Sequence, residues 1–84
     1  MSRRTERIAK SIQQVISRIL RTDLADPRID TAVTSITRVE VAEDLLRAKV
    51  YVSVIGRESR QRLTVEALNH AAGRIQARLR EQIS

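Results

Sequence analysis

Between residues 4 and 22, Ile8, Ile12, Val15, Ile16, Ile19 and Leu20 recur at the i, i+4, i+7, i+8 spacing of one helical face. At about 100° per residue, Arg3, Arg7, Lys10, Gln14, Arg18 and Arg21 fall on the opposite arc, with Arg4 at its edge. Such a helix has to bury its apolar arc against a second layer, so the rest of the chain must supply one. The polar arc is unusual in kind. A solvated face normally mixes charge signs and gains i, i+4 pairs, whereas this one sets like charges side by side, at a modest cost in repulsion. Contact with phosphate is one reading of that stripe, and an ordinary wet surface is the other.

The rest of the charge distribution bears on the choice. Sixteen Lys and Arg against ten Asp and Glu give a net charge of +6, and fourteen of the sixteen cations are arginine. The planar guanidinium fork suits phosphate oxygens, so a polyanionic partner is favoured. Residues 1–22 carry six cations and one anion, residues 23–46 two and six, and residues 47–84 eight and three. The ends are basic and the middle acidic, which gives the field a direction.

Asp26-Pro27-Arg28 follows the helix as a turn, because proline disfavours helical geometry in the residue before it. Thr31 to Val41 is rich in Val, Ile and Thr and reads as a strand. Its alternation falters around Ser35 to Thr37, and a bulge there would keep Ile36, Val39 and Val41 on one face. Ala42-Glu43-Asp44-Leu45 makes a connection short enough for a hairpin. Ala48 to Ile55 alternates most clearly: Ala48, Val50, Val52 and Val54 on a face expected to be buried, Lys49, Tyr51 and Ser53 on a wet one. Gly56 closes that strand. From about Ser59 onward the pattern is helical, with Leu68, Ala72, Ile75 and Leu79 on one face and Leu63 out of phase. Gly73 costs about 1 kcal/mol relative to alanine inside a helix. A break near Ala71-Ala72-Gly73 would bring both halves into phase with a sheet. The order is helix, strand, strand, helix, kink, helix, an α+β arrangement in one domain over residues 1–84.

Catalytic chemistry finds little support. The sequence contains no phosphate-binding glycine loop, no His-Glu-x-x-His and no nucleophile elbow. Ser53 and Ser59 have no histidine near them in sequence. Glu43 and Asp44 are adjacent and suit local hydrogen bonding in a turn. His70, the only histidine, falls on the polar side of its helix, as a surface residue or a contact for RNA. With no cysteine and one histidine, neither a disulfide nor a thiolate or multi-histidine metal site is expected, and no cofactor. No apolar run approaches the roughly 20 residues of a membrane span, and no secretory h-region follows the basic N-terminus, so a cytoplasmic location is expected. Tyr51 is the only aromatic residue, a poor platform for reading single-stranded RNA base by base. Shape and phosphate recognition fit better.

Several pieces in fixed order resemble the bacterial ribosome-binding factor A family: Arg4-x-x-Arg7-Ile8, Asp26-Pro27-Arg28, Val39-x-Val41-x-x-Asp44-Leu45, Ala48 to Val54, and Ala67-Leu68-Asn69-His70-Ala71-Ala72-Gly73-Arg74-Ile75. None is specific alone; their order and spacing across the whole chain are. The resemblance implies a type II KH-like domain, with an antiparallel sheet backed by helices. It also implies an Ala-x-Gly kink where RNA-binding KH domains usually carry Gly-x-x-Gly, matched here by Ala71, Ala72 and Gly73. Gly73 would relax the helix for close approach of a phosphate or another chain, or simply permit close helix–sheet packing. In the family a third strand follows the last helix. This sequence stops at Gln82-Ile83-Ser84, so the reading is of a domain short of that strand at its C-terminus and less stable for it.

The function this implies is binding, without catalysis, to the small (30S) ribosomal subunit and its 16S rRNA during assembly, in support of late maturation and 5′-end processing, above all in the cold. The expected RNA contacts are Arg3, Arg4, Arg7, Lys10, Arg18 and Arg21 on the first helix, with Arg57, Arg60, Arg74 and Arg78 around the kink. Ribosomal proteins and other assembly factors are further implied partners, a membrane is not, and the small polar exterior suggests a monomer. A general KH-type RNA chaperone without ribosome preference, or a purely protein-interaction module, would share parts of this pattern.

Overall fold

The first helix forms where its periodicity puts it. α1 spans Arg3–Thr22. Ser2 caps it, its Oγ accepting the Thr5 N–H at 3.2 Å, while the Thr5 hydroxyl donates to the Ser2 carbonyl at 2.9 Å. Ala9, Val15, Ile16, Ile19 and Leu20 are buried, as the apolar arc requires. In this computed structural model, residues 2–24, 26–44 and 46–83 are described; Leu45, one of the family motif residues, lies outside them.

The chain then turns through Asp26–Arg28 into β1, Thr34–Val41, and back through β2, Ala48–Val54. The two strands pair antiparallel, with Val39 opposite Val50, Glu40 opposite Lys49 and Val41 opposite Ala48. β1 starts three residues later than the composition suggests. Asp30 is the cause: its Oδ1 accepts the Ala32 N–H at 2.9 Å and its carbonyl the Val33 N–H at 3.2 Å, winding residues 30–33 into a turn. The expected bulge lies between Ile36 and Arg38. There the Gln13 side-chain amide donates to the Ile36 carbonyl at 3.0 Å, and the Thr37 hydroxyl to the Tyr51 carbonyl at 3.3 Å. The bulge is thereby fixed from α1 on one side and from β2 on the other.

α2, Glu58–His70, and α3, Ala72–Ile83, complete the order helix, strand, strand, helix, kink, helix. All three helices lie on one side of the two-stranded sheet, with Leu68, Ile75 and Leu79 packed against a core of Ala9, Ile16, Leu20, Ile36, Val39 and Val41. Leu63, out of phase with that face, is exposed. Gly56 joins β2 to α2 at φ +144°, a conformation that side chains rarely adopt.

Two expectations need correction. The apolar face of β2 is not buried: Val50 is 37 % exposed and only Val52 and Val54 are partly covered. The described sheet has two strands, each with one unpaired edge, and a cleft of about 760 Å³ opens between β2 and α2–α3, lined in part by Ile12, Val50, Val65, Leu68 and Ile75. Nor does Gly73 serve close packing, since beyond its chain neighbours and its own helical backbone no atom lies within 4 Å of where its Cβ would stand. The kink belongs to Ala71, whose φ of −86° and ψ of 0° end α2 while its N–H still reaches the Ala67 carbonyl.

Candidate nucleic-acid interface

α1 presents Arg3, Arg4, Arg7, Lys10, Arg18 and Arg21 as exposed side chains, with Gln14 among them. At 1.5 Å per residue the stripe runs about 27 Å. The apolar arc fixes its direction, for burying Ala9, Ile16 and Leu20 against β1 leaves the opposite arc nowhere to go but outward. None of the described ion pairs engages a cation of the stripe. Arg18 makes one neutral contact, its Nη1 donating to Gln82 Oε1 at 3.4 Å. An incoming phosphate would break no salt bridge here, and guanidinium groups meet phosphate oxygens with charge-assisted, often paired hydrogen bonds.

The second group of expected RNA contacts is more dispersed. Arg57 stands at the N-cap of α2 without a side-chain capping bond, and Arg60 lies one turn on, beside Gly56; both are exposed. Arg74 is exposed in the first turn of α3. Arg78 differs, because its Nε lies 3.5 Å from Asp23 Oδ2 and its Nη1 3.2 Å from Glu81 Oε2. Its charge is compensated, and the Asp23 contact ties α3 to the C-cap of α1. The structure thus brings Arg78 to the end of the helix stripe and leaves Arg57 and Arg60 apart from it, at the β2–α2 junction. Ala71, Ala72 and Gly73 sit between α2 and α3, with Gly73 open on the side a Cβ would occupy.

Two clusters escaped the linear reading. In the first, Arg28 grips Asp26 with Nη2 at 2.9 Å from Oδ2 and Nε at 3.1 Å from Oδ1, while its own N–H donates to Oδ1 at 2.9 Å. Those bonds hold the Asp26 carboxyl below the usual carboxylate range and raise the Arg28 pKa. Arg28 Nη1 also lies 3.3 Å from His70 Nδ1, and the buried Thr64 hydroxyl donates to the Arg28 carbonyl at 3.3 Å. Asp26-Pro27-Arg28 therefore staples the α1–β1 loop to the end of α2. The exposed His70 has a structural neighbour that sequence alone did not supply.

The second cluster lies on the sheet face turned away from the helices. Arg38 and Tyr51 are cross-strand partners, and the Arg38 guanidinium carbon sits 6.0 Å from the centroid of the Tyr51 ring. Arg38 Nη2 is 3.4 Å from Glu40 Oε2. The Tyr51 phenol holds the Glu40 carboxyl below the usual carboxylate range, and that carboxyl raises the pKa of the phenol. Hairpin register would have found this group, because it makes Arg38 and Tyr51 opposite neighbours.

Among the described residues no three His, Cys, Asp or Glu side chains converge where a metal could bind, and no helix is long and apolar enough to cross a membrane. What the surface offers is fixed positive charge.

Comparison with known proteins points the same way. The family model for ribosome-binding factor A matches residues 4–84. A ribosome-binding factor A from Desulfitobacterium hafniense is 40% identical over 80 residues, covering 95% of this chain and 62% of that protein. One from Caldanaerobacter subterraneus subsp. tengcongensis is 41% identical over 83 residues, covering 99% and 67%. The solution NMR structure of a Thermotoga maritima protein taken for a ribosome binding factor A superposes with a TM-score of 0.89 at 30% identity, over 99% of this chain and 77% of that one. The chain spans about three fifths of the length of the first curated relatives it matches.

Proposed function

This chain belongs to the ribosome-binding factor A family, and from that premise we propose that it binds the small (30S) ribosomal subunit through its 16S rRNA during assembly. The observation that carries the reading is the row of exposed cations on α1 that no described carboxylate neutralises. Arg3, Arg4, Arg7, Lys10, Arg18 and Arg21 lie along one rigid helix, so they meet a phosphate backbone of fixed shape better than a flexible strand. Arg74 extends the contact at the start of α3, beside the kink at Ala71, Ala72 and Gly73, Arg57 and Arg60 offer a separate contact at the start of α2, and Arg78 holds α3 in place beside the stripe.

Binding of this kind needs no catalysis. The protein favours one conformation of immature rRNA over another, and it can shift that equilibrium only by its difference in affinity for the two. Support of late maturation and 5′-end processing follows if the favoured conformation is the one on which processing acts. The effect grows in the cold, where misfolded RNA helices rearrange slowly. The protein acts in the cytoplasm, as a monomer and without a cofactor.

Filter binding to 16S rRNA across a salt series tests the electrostatic core of this reading. For about five neutralised phosphates, log affinity falls against log salt with a slope of roughly −3 to −5. A flat response contradicts it. Comparing 16S rRNA with an unrelated structured RNA of equal length separates a ribosome factor from a general RNA chaperone.

A further inference from the structure

The outer face of the hairpin carries a feature that phosphate binding by α1 does not use. This chain has one aromatic residue, and its core is built from aliphatic side chains alone. Tyr51 is instead 39 % exposed, on the side of the sheet that no helix covers. In so small a domain an aromatic ring is worth most when buried, because it removes so much apolar surface from water. Here the ring is held in place at the surface. Arg38 lies over it at 6.0 Å, Glu40 holds that guanidinium at 3.4 Å, and Thr37 donates to the Tyr51 backbone carbonyl at the bulge. Lys49, opposite Glu40, stands next to it on the same face, and Ser35 and Ser53 pair beyond it. Arg38 and Lys49 against Glu40 leave this face with a net positive charge. A planar ring and a planar guanidinium, both exposed and flanked by cations and hydroxyls, suit an anionic polymer that carries flat π-systems.

We infer that the Arg38–Tyr51 pair is a docking site for one unpaired nucleobase of RNA, with Lys49 beside it to meet the adjoining phosphate. Resting on the RNA-binding reading above, this adds a second surface with a different preference. The α1 stripe faces away from the sheet and takes backbone charge, whether the RNA is paired or not. The sheet face takes an unstacked base, because a base inside a duplex has no free face to offer a ring. One ring and one guanidinium accommodate a single base and read no sequence. The site therefore marks where a helix is interrupted or a strand is free.

Because Tyr51 is the only aromatic residue, intrinsic tyrosine emission reports on this position alone. The full chain is titrated with a single-stranded RNA hexamer and with a blunt duplex of the same composition. The hexamer is expected to quench the emission saturably and the duplex to leave it nearly unchanged while still binding. Tyr51→Val, which keeps a β-branched residue in the strand, weakens the hexamer by about five- to a hundredfold. Its duplex affinity stays within about twofold, since phosphate contacts are untouched. Tyr51→Phe, which retains the ring, restores hexamer affinity. Circular dichroism verifies that each variant is folded. Hexamer binding without quenching, or with equal strength in Tyr51→Val, overturns the inference and leaves the α1 reading standing. Failure of the unaltered chain to bind either RNA overturns both. Equal quenching by poly-glutamate assigns the face to an acidic protein and also overturns it.

Discussion

Thr34 Oγ1 is buried without a hydrogen-bond partner at the start of β1. A desolvated hydroxyl with nothing to bond costs free energy that an apolar group of the same shape does not. Thr34→Val is therefore expected to stabilise the fold by about 1 kcal/mol in a urea titration; a loss of stability would show that the hydroxyl has a partner. Asp26 is the contrasting case, a carboxylate satisfied by the backbone and side chain of Arg28. Its folded pKa lies below the ordinary value of 3.8, so its contribution is present above that pH and is lost as pH falls through the lowered value. Asp26→Asn should flatten acid destabilisation below about pH 4, as read by circular dichroism, and an unchanged acid profile contradicts this. Residue-scale pairing was the least legible part of the sequence. Arg28 and His70 are 42 positions apart, and only packing of α2 over the α1–β1 loop brings them to 3.3 Å.

Elements were legible in proportion to how one-sided their burial is. α1 has a clean apolar arc and forms within a residue of the expected limits. The bulge in β1 was readable because Ile36 and Val39 can share a face only if one residue is inserted between them. The start of β1 was not, because Thr31 and Val33 have strand-like composition and the Asp30 side chain overrides it. β2 misled in another way, for its alternation is real but α1 packs over β1 and leaves the apolar face of β2 half-covered. Of the two readings of Gly73, close helix–sheet packing fails, because the side a Cβ would occupy is open. Gly73→Ala should accordingly raise stability by up to about 1 kcal/mol, because alanine has the better helix propensity and its methyl meets no atom. Thermal unfolding decides this, and a lower midpoint would mean that α3 relies on glycine in a way its surroundings do not indicate.

At the scale of the whole molecule, the three helices form one layer and the hairpin the other, so the protein has two outer faces. One carries the α1 cations, the other the Arg38–Tyr51 pair, and the acidic stretch from Asp23 to Asp44 lies between the basic ends of the sequence. Charge and periodicity favour a polyanion on the helix side. They do not reach the ribosome, which entered through motifs arranged in order along the chain and matched over residues 4–84. The most direct measurement is sedimentation of the protein with free small subunits and with mature ribosomes, for the unaltered chain and for Arg7→Gln, Lys10→Gln, Arg18→Gln combined. All three positions are exposed, so the combined variant should fold normally. The unaltered chain is expected to travel with the free small subunit, and the folded triple variant to stay at the top of the gradient. Association that survives the loss of those three charges would contradict it.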